Sequence, residues 1–281
     1  MQPAARLALL VIAAIAVASC SSSSSAAAAA ASSWSMKQEH IFLESFFASS
    51  PQGVAMLFAN SSVPEQIVFS GKTILRRCSY VGKTMTFASI LENPNALANV
   101  SALGYNHIGD IDIYNGVLYA PIEEDSYTRP AIVTYDPMTL EYTGLVQTTQ
   151  KHMPWVAVSS LYKFLFSSEF DNVTSLYVYQ VENLKMGLFT ILDLHLPVGL
   201  EQGLMAVQGG VVSGTNLYLS SSAPGDPVYV VDYRTGIVQL EFNLPSTQET
   251  EGIAIANSDG YMYVLVQNNF DVVAYQYSQS S

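Results

Sequence analysis

Short apolar and aromatic runs, separated by polar turn signals, dominate the chain from about residue 50 onward. Residues 117–121, 131–135, 217–220 and 228–231 are rich in Val, Ile, Leu and Tyr, and such runs bounded by turn residues predict strands. Asn115-Gly116 joins two of them, and both positions tolerate the positive φ of a tight hairpin turn. Asp136-Pro137-Met138-Thr139 reads as a type I turn with Pro presetting φ at its second position. Asp232-Tyr233-Arg234-Thr235-Gly236 supplies the matching outer turn about one hundred residues later.

A short phrase recurs among these runs. It reads Gln52-Gly53-Val54-Ala55, Ile108-Gly109-Asp110-Ile111, Met153-Pro154-Trp155-Val156, Gln202-Gly203-Leu204-Met205 and Glu251-Gly252-Ile253-Ala254. A strand-rich unit repeating every ~50 residues predicts an all-β, β-propeller fold. Five blades is the leading count and six the alternative, since the first step is long without being doubled. The second unit divides into strands over 109–114, 117–121, 131–135 and 141–147. The third divides over 155–158, 162–166, 175–181 and 188–194, and the fourth over 204–207, 217–220, 228–231 and 237–242. The fifth stops after 253–256, 261–266 and 272–277, short of a fourth strand. The apolar run 41–47 precedes the first unit, and its pairing in the C-terminal blade would close the ring. Closure removes an exposed sheet edge.

Residues 1–20 read as a signal peptide: Arg6, an apolar run from Leu7 to Ala18, and Ala16-Val17-Ala18 as an A-x-A cleavage pattern. The run is shorter than the ~20 residues that a membrane span needs. Val17-Ala18-Ser19-Cys20 also resembles a lipobox, so lipid anchoring at a bacterial envelope stands as the alternative to secretion. Residues 21–35 form a Ser/Ala-rich linker with nothing large to bury, and 36–281 form one propeller domain. The net charge of −12 excludes a nucleic-acid partner, since a phosphate backbone requires clustered Lys and Arg. Arg76-Arg77, with Lys72 and Lys83, reads as a solvated strand edge. The two cysteines give no disulfide framework, and Cys78 reads as a small buried hydrophobe. Sequons begin at Asn60, Asn99 and Asn172 and would be glycosylated in a eukaryotic source. The chain is read as a monomer.

The recurring Gly-led strand, Leu118-Tyr119-Ala120-Pro121 and Leu217-Tyr218-Leu219-Ser220, and the Tyr135-Asp136 outer turn resemble secreted β-propellers of the YVTN, quinoprotein and gluconolactonase-like kind. The resemblance covers residues 50 to 277. Its motifs are structural, and no matching set of gluconolactonase catalytic residues is present. Fold likeness alone assigns no chemistry.

In a propeller, the loops entering the innermost strands share a face with the loops joining second and third strands. That face collects His107, His152, Glu201, Gln202, Glu249 and Glu251, with Glu123, Glu124, Asp125, Tyr127 and Arg129. The ligand-binding set is therefore His107, Asp110, His152, Glu201, Gln202 and Glu251. Asp110 and Asp112 lie two apart on a strand, and so share a side where the other repeats are apolar. Either Asp110 bolts the blades through backbone N–H groups, with Arg129 nearby, or it helps hold a cation. The candidate metal ligands are Asp110, Asp112, His107 and His152, with Ca2+ or another divalent cation as candidate cofactor. The leading expectation is a binding module for a small molecule, a carbohydrate or an extracellular protein. The alternative is a cation-dependent lactonase, esterase or glycosidase with Asp110, Glu201 and Glu251 as catalytic candidates and Trp155 and Tyr105 as sugar platforms.

Overall fold

The computed structural model describes residues 34–43, 51–58, 64–80, 89–245, 248–258, 260–268 and 271–279. The signal peptide, most of the linker, Cys20, the Asn60 sequon and Lys83 lie outside the described residues. Five sheets form a five-bladed β-propeller. Blade 1 comprises β2 (Pro51–Leu57), β3 (Gln66–Gly71), β4 (Leu75–Ser79) and β5 (Ser89–Asn93). Blade 2 opens with the short β6 (His107–Ile108) and β7 (Asp112–Tyr114), then β8 (Val117–Glu123), β9 (Ala131–Tyr135) and β10 (Tyr142–Gln147). Blade 3 has β11 (Ala157–Ser159), β12 (Phe164–Ser167), β13 (Ser175–Gln180) and β14 (Leu188–Asp193). Blade 4 has β15 (Val207–Ser213), β16 (Asn216–Ser221), β17 (Pro227–Asp232) and β18 (Ile237–Asn243).

Blade 5 is made from both ends of the described chain. β19 (Glu249–Ile255), β20 (Met262–Asn268) and β21 (Asp271–Gln279) are joined by β1 (Trp34–Leu43), which pairs antiparallel with β21. Ile41 lies opposite Val273 and Phe42 opposite Val272. The ring is thus closed by the N-terminal strand as expected, but the strand begins at Trp34, inside the segment read as linker.

Each interface between neighbouring blades is a separate apolar layer. Val68, Leu75, Ile111 and Leu118 join blades 1 and 2, and Tyr119, Ile132, Val156 and Leu165 join blades 2 and 3. Phe166, Leu176, Leu217 and Val231 join blades 3 and 4, Val228, Ile253 and Val264 join 4 and 5, and Val54, Ile67, Ala254 and Leu265 join 5 and 1. Each blade presents apolar residues on both sheet faces, which explains the dense runs of Val, Ile, Leu and Tyr. The turn chemistry is as expected. Asn115 and Gly116 both have positive φ, and Asp136 Oδ1 accepts from Met138 and Thr139 N–H.

Two expectations are corrected. Arg76 and Arg77 are not a solvated edge, for both are buried, and Arg76 pairs with Glu92 across β4 and β5. The fourth innermost strand starts at Val207 rather than Leu204. The fourth copy of the repeated phrase is therefore Gln208-Gly209-Gly210, not Gln202-Gly203-Leu204. Gly203 belongs to an inter-blade turn at φ +108, where a Cβ would strike Asn172. Cys78 is fully buried, and burial pushes its thiol up to about 12.

Candidate functional site: an acidic axial cavity

Asp110 sits at the centre of the ring. Its Oδ1 accepts from Val54 N–H (2.9 Å) and Ile111 N–H (3.1 Å), and its Oδ2 from Gly210 N–H (3.0 Å) and Ile253 N–H (3.2 Å). Its own N–H donates to Pro154 O at 2.9 Å, and its C=O accepts from Val156 N–H at 3.2 Å. One residue of blade 2 is thereby bonded to blades 1, 3, 4 and 5. Burial pushes its carboxyl well above the ordinary range and the backbone donors pull it down. All four carboxylate partners are donors, so the ionised form is the one this geometry satisfies. The glycines of the repeated phrase make room for it: a Cβ on Gly53, Gly209 or Gly252 would come within 2.7 Å of an Asp110 side-chain oxygen. Arg129 plays no part here. It donates to Leu103 O and lies 3.9 Å from Glu124.

On the face expected to bind, a cavity of about 530 Å³ opens above this plug. Its walls include His107, Glu123 and Tyr127 from blade 2, His152 and Phe170 from blade 3, Gln208 from blade 4, Glu249 and Glu251 from blade 5, and Gln52 and Lys72 from blade 1. Glu251, 3% exposed, receives Gln52 Nε2 at 3.3 Å. Its carboxyl is pushed well up by burial and then by the charges of Glu249 and Asp110. His107 has no hydrogen-bond partner for its ring among the described residues, and burial, with Lys72 and His152 nearby, lowers it to about 4. Glu123 accepts from Met153 N–H and faces His152 Nε2 at 3.0 Å. Tyr127 and Phe170 pack against that imidazole at a tilt, with ring centroids 4.5 and 5.1 Å away. Tyr127 holds φ +49, a costly conformation for an aromatic residue. Its loop is pinned by Glu124 Oε1, which accepts from Ser126 Oγ, Thr128 N–H and Thr128 Oγ1.

The structure brings together His107, His152 and Glu251 but not the rest of the expected set. Glu201 and Gln202 are exposed, in the turn that precedes β15, and Glu201 accepts from Gly199 N–H. They fall outside the cavity because the fourth repeat is phased later, which puts Gln208 there instead. Asp112 opens on the other side of the plug, where its oxygens accept from Ile113 and Val158 N–H. The proposed metal quartet is therefore split between two sides, with the Asp110 oxygens already taken by N–H donors. Among the described residues, no group of three or more His, Cys, Asp or Glu is arranged to hold a metal ion. Trp155 and Tyr105 are buried between blades, with Trp155 Nε1 on Ser168 Oγ and Tyr105 Oη on Arg129 O.

Glu123, Lys72, Tyr127, Phe170, Gln208 and Gln267 line the cavity without having been singled out as ligands. A signal existed for Gln208: Gln-Gly occurs twice in the fourth repeat, and only the second occurrence is followed by a second glycine. That glycine, Gly210, lies flat under the Trp155 ring, where a Cβ would approach to 2.4 Å.

Fold and site together define a five-bladed propeller with a plugged axis and an acidic cavity on one face. The crystal structure of the Myxococcus xanthus glutaminyl cyclase is similar, with a TM-score of 0.61 and 11% identity over 88% of this chain and 97% of that one. No family model and no curated protein matches the sequence. Among the described residues no helix is long and apolar enough to cross a membrane.

Proposed function

We propose that this protein is an extracellular binding module that holds a small amine-bearing molecule in its acidic axial cavity. One observation carries the reading: Glu123, Glu249 and Glu251 converge on one concave space where, among the described residues, Lys72 is the one lysine or arginine in the lining. Burial, then the charges of Glu249 and Asp110, push the Glu251 carboxyl well up, and an incoming ammonium would favour its ionised form. Gln52, Gln208 and Gln267 add neutral donors and acceptors, the usual means of orienting a small ligand. The test is a thermal-shift panel of small amines, neutral sugars and carboxylates. Amines should raise the melting temperature of the native chain, and Glu251→Gln should remove the effect; a ligand at a hundred times its Kd adds about 2.7 kcal/mol. Stabilisation by carboxylates alone, or an equal response from the variant, would reject the reading.

A second reading is favoured by two proton-carrying groups of opposite tendency on the same walls. Burial pushes the Glu251 carboxyl well up and lowers the His107 imidazole to about 4, and opposite shifts on neighbouring groups suit general acid–base chemistry. The similar solved structure is that of a glutaminyl cyclase, so cyclisation of a glutaminyl substrate is the first activity to assay, by mass spectrometry. Product formed by the native chain and lost in both Glu251→Gln and His107→Gln would establish it. A cation-dependent hydrolase has less support, given the divided ligand set. Elemental analysis of purified protein tests for Ca2+ or a related ion directly.

A further inference from the structure

A second chamber, of about 180 Å³, lies beneath the Asp110 plug on the opposite face. Every blade contributes an inner-strand residue to it: Val54, Asp112, Val158, Val212 and Ile255. Four of these are apolar, and the fifth is a carboxylate. Among the described residues, no Lys, Arg or His lines the chamber. Asp112 Oδ1 accepts from Ile113 N–H at 2.7 Å and Oδ2 from Val158 N–H at 2.6 Å. Each oxygen retains a lone pair with no donor among the described residues, since a carboxylate oxygen accepts more than one bond. Phe58, 43% exposed, stands at the rim with exposed Asn257, so the chamber opens to solvent.

Ser160, Ser213 and Asn257 also line the chamber, but none of them carries a charge; a carboxylate that faces no cation is costly, and the cost falls when a positive group arrives. A divalent metal does not suit the place, because it takes six or more oxygen ligands and, among the described residues, the walls offer a single carboxylate whose two oxygens already accept N–H bonds. An anion is repelled, and a neutral apolar molecule would bury the carboxylate without pairing it. We infer that this chamber is a separate site for a small organic monocation of the primary alkylammonium class, its charge on Asp112 and its alkyl part against Val212 and Ile255, the two partly exposed apolar residues of that ring. The inference stands on residues that the acidic cavity does not share.

The experiment is an NMR titration of the 15N-labelled full chain with n-butylammonium chloride, following the Ile113 and Val158 amides that donate to Asp112. Amides of His152 and Met153 report the acidic cavity in the same spectra, so the two sites are read apart. Saturable shifts at Ile113 and Val158 are expected, at least tenfold weaker in Asp112→Asn and retained in Glu251→Gln. The neutral isostere n-butanol should produce none. Val212→Phe, which fills the chamber and leaves the carboxylate in place, should abolish the shifts, and serves where Asp112→Asn does not fold. Absence of saturable shifts in the native chain, an equal response to butanol, or shifts that survive Val212→Phe would overturn the inference. Loss in Glu251→Gln would assign the amine to the acidic cavity instead and overturn it too.

Discussion

At the scale of single residues, the ring depends on one carboxylate and the hydrogens that surround it. Asp110 accepts four backbone N–H bonds in a fully buried position, and bonds to a charged acceptor contribute about 1.5–3 kcal/mol each. Asp110→Asn keeps the shape but turns an NH2 toward backbone donors. It should cost about 3 kcal/mol or more, measured by chemical denaturation. Gly209→Ala should also destabilise, because its Cβ would lie 2.7 Å from Asp110 Oδ2. In a double-mutant cycle with Asp110→Ala, the two losses should fail to add by at least ~0.5 kcal/mol. His107 and Asp112 give stability opposite dependences on pH. His107 is lowered from 6.5 to about 4, so the unfolded chain takes up its proton first, and this residue's contribution is lost as pH falls from 6.5 towards 4. Burial raises Asp112 from 3.8 to about 7, so its contribution is present below 3.8 and lost as pH rises towards 7. Comparing melting curves of native protein with His107→Gln and with Asp112→Asn should show each slope removed separately.

At the scale of elements, β1 is the strand on which closure rests. It covers β21 along nearly its whole length, and a bare β21 would present a row of unpaired backbone groups. Deleting residues 1–43 should therefore lower the melting temperature and produce oligomers, visible by size-exclusion chromatography. A truncated chain that stays monomeric with an unchanged melt would contradict this role. The blades were legible in the sequence because their strands carry apolar residues on both faces and their turns obey local rules. Asn115-Gly116 and the Asp136 turn needed nothing beyond their neighbours to be read. The fourth inner strand was misplaced because Gly203 and Gly209 look alike along the chain. What separates them is tertiary: Gly209 makes room for Asp110, and Gly203 packs on Asn172. The site was legible to a similar degree. His107, His152 and Glu251 were found from their repeat positions, whereas Glu201 followed the misplaced strand out of the cavity. Asp112 was grouped with His107 and His152, yet it lines the opposite chamber; no strand pattern reveals that Asp110 divides the axis in two.

At the scale of the whole molecule, no blade has a core of its own, since each apolar layer is shared by two neighbours. Removing one blade would strip two layers and open the circle. Unfolding should accordingly be a single cooperative event, with calorimetric and van't Hoff enthalpies in agreement; two resolved transitions would show that some blades persist without the rest. The net charge of −12 also implies that added salt should weaken capture of an amine by the acidic cavity, through screening over roughly 8 Å at physiological ionic strength.

The stopper at the waist has a consequence for traffic. A propeller axis left hollow is a pipe, and material can thread it from end to end. Here the Asp110 carboxylate and the five backbones clasped around it make two blind cups set base to base. Whatever enters either cup must back out through the same mouth, so occupancy on one face is not relayed by passage to the other.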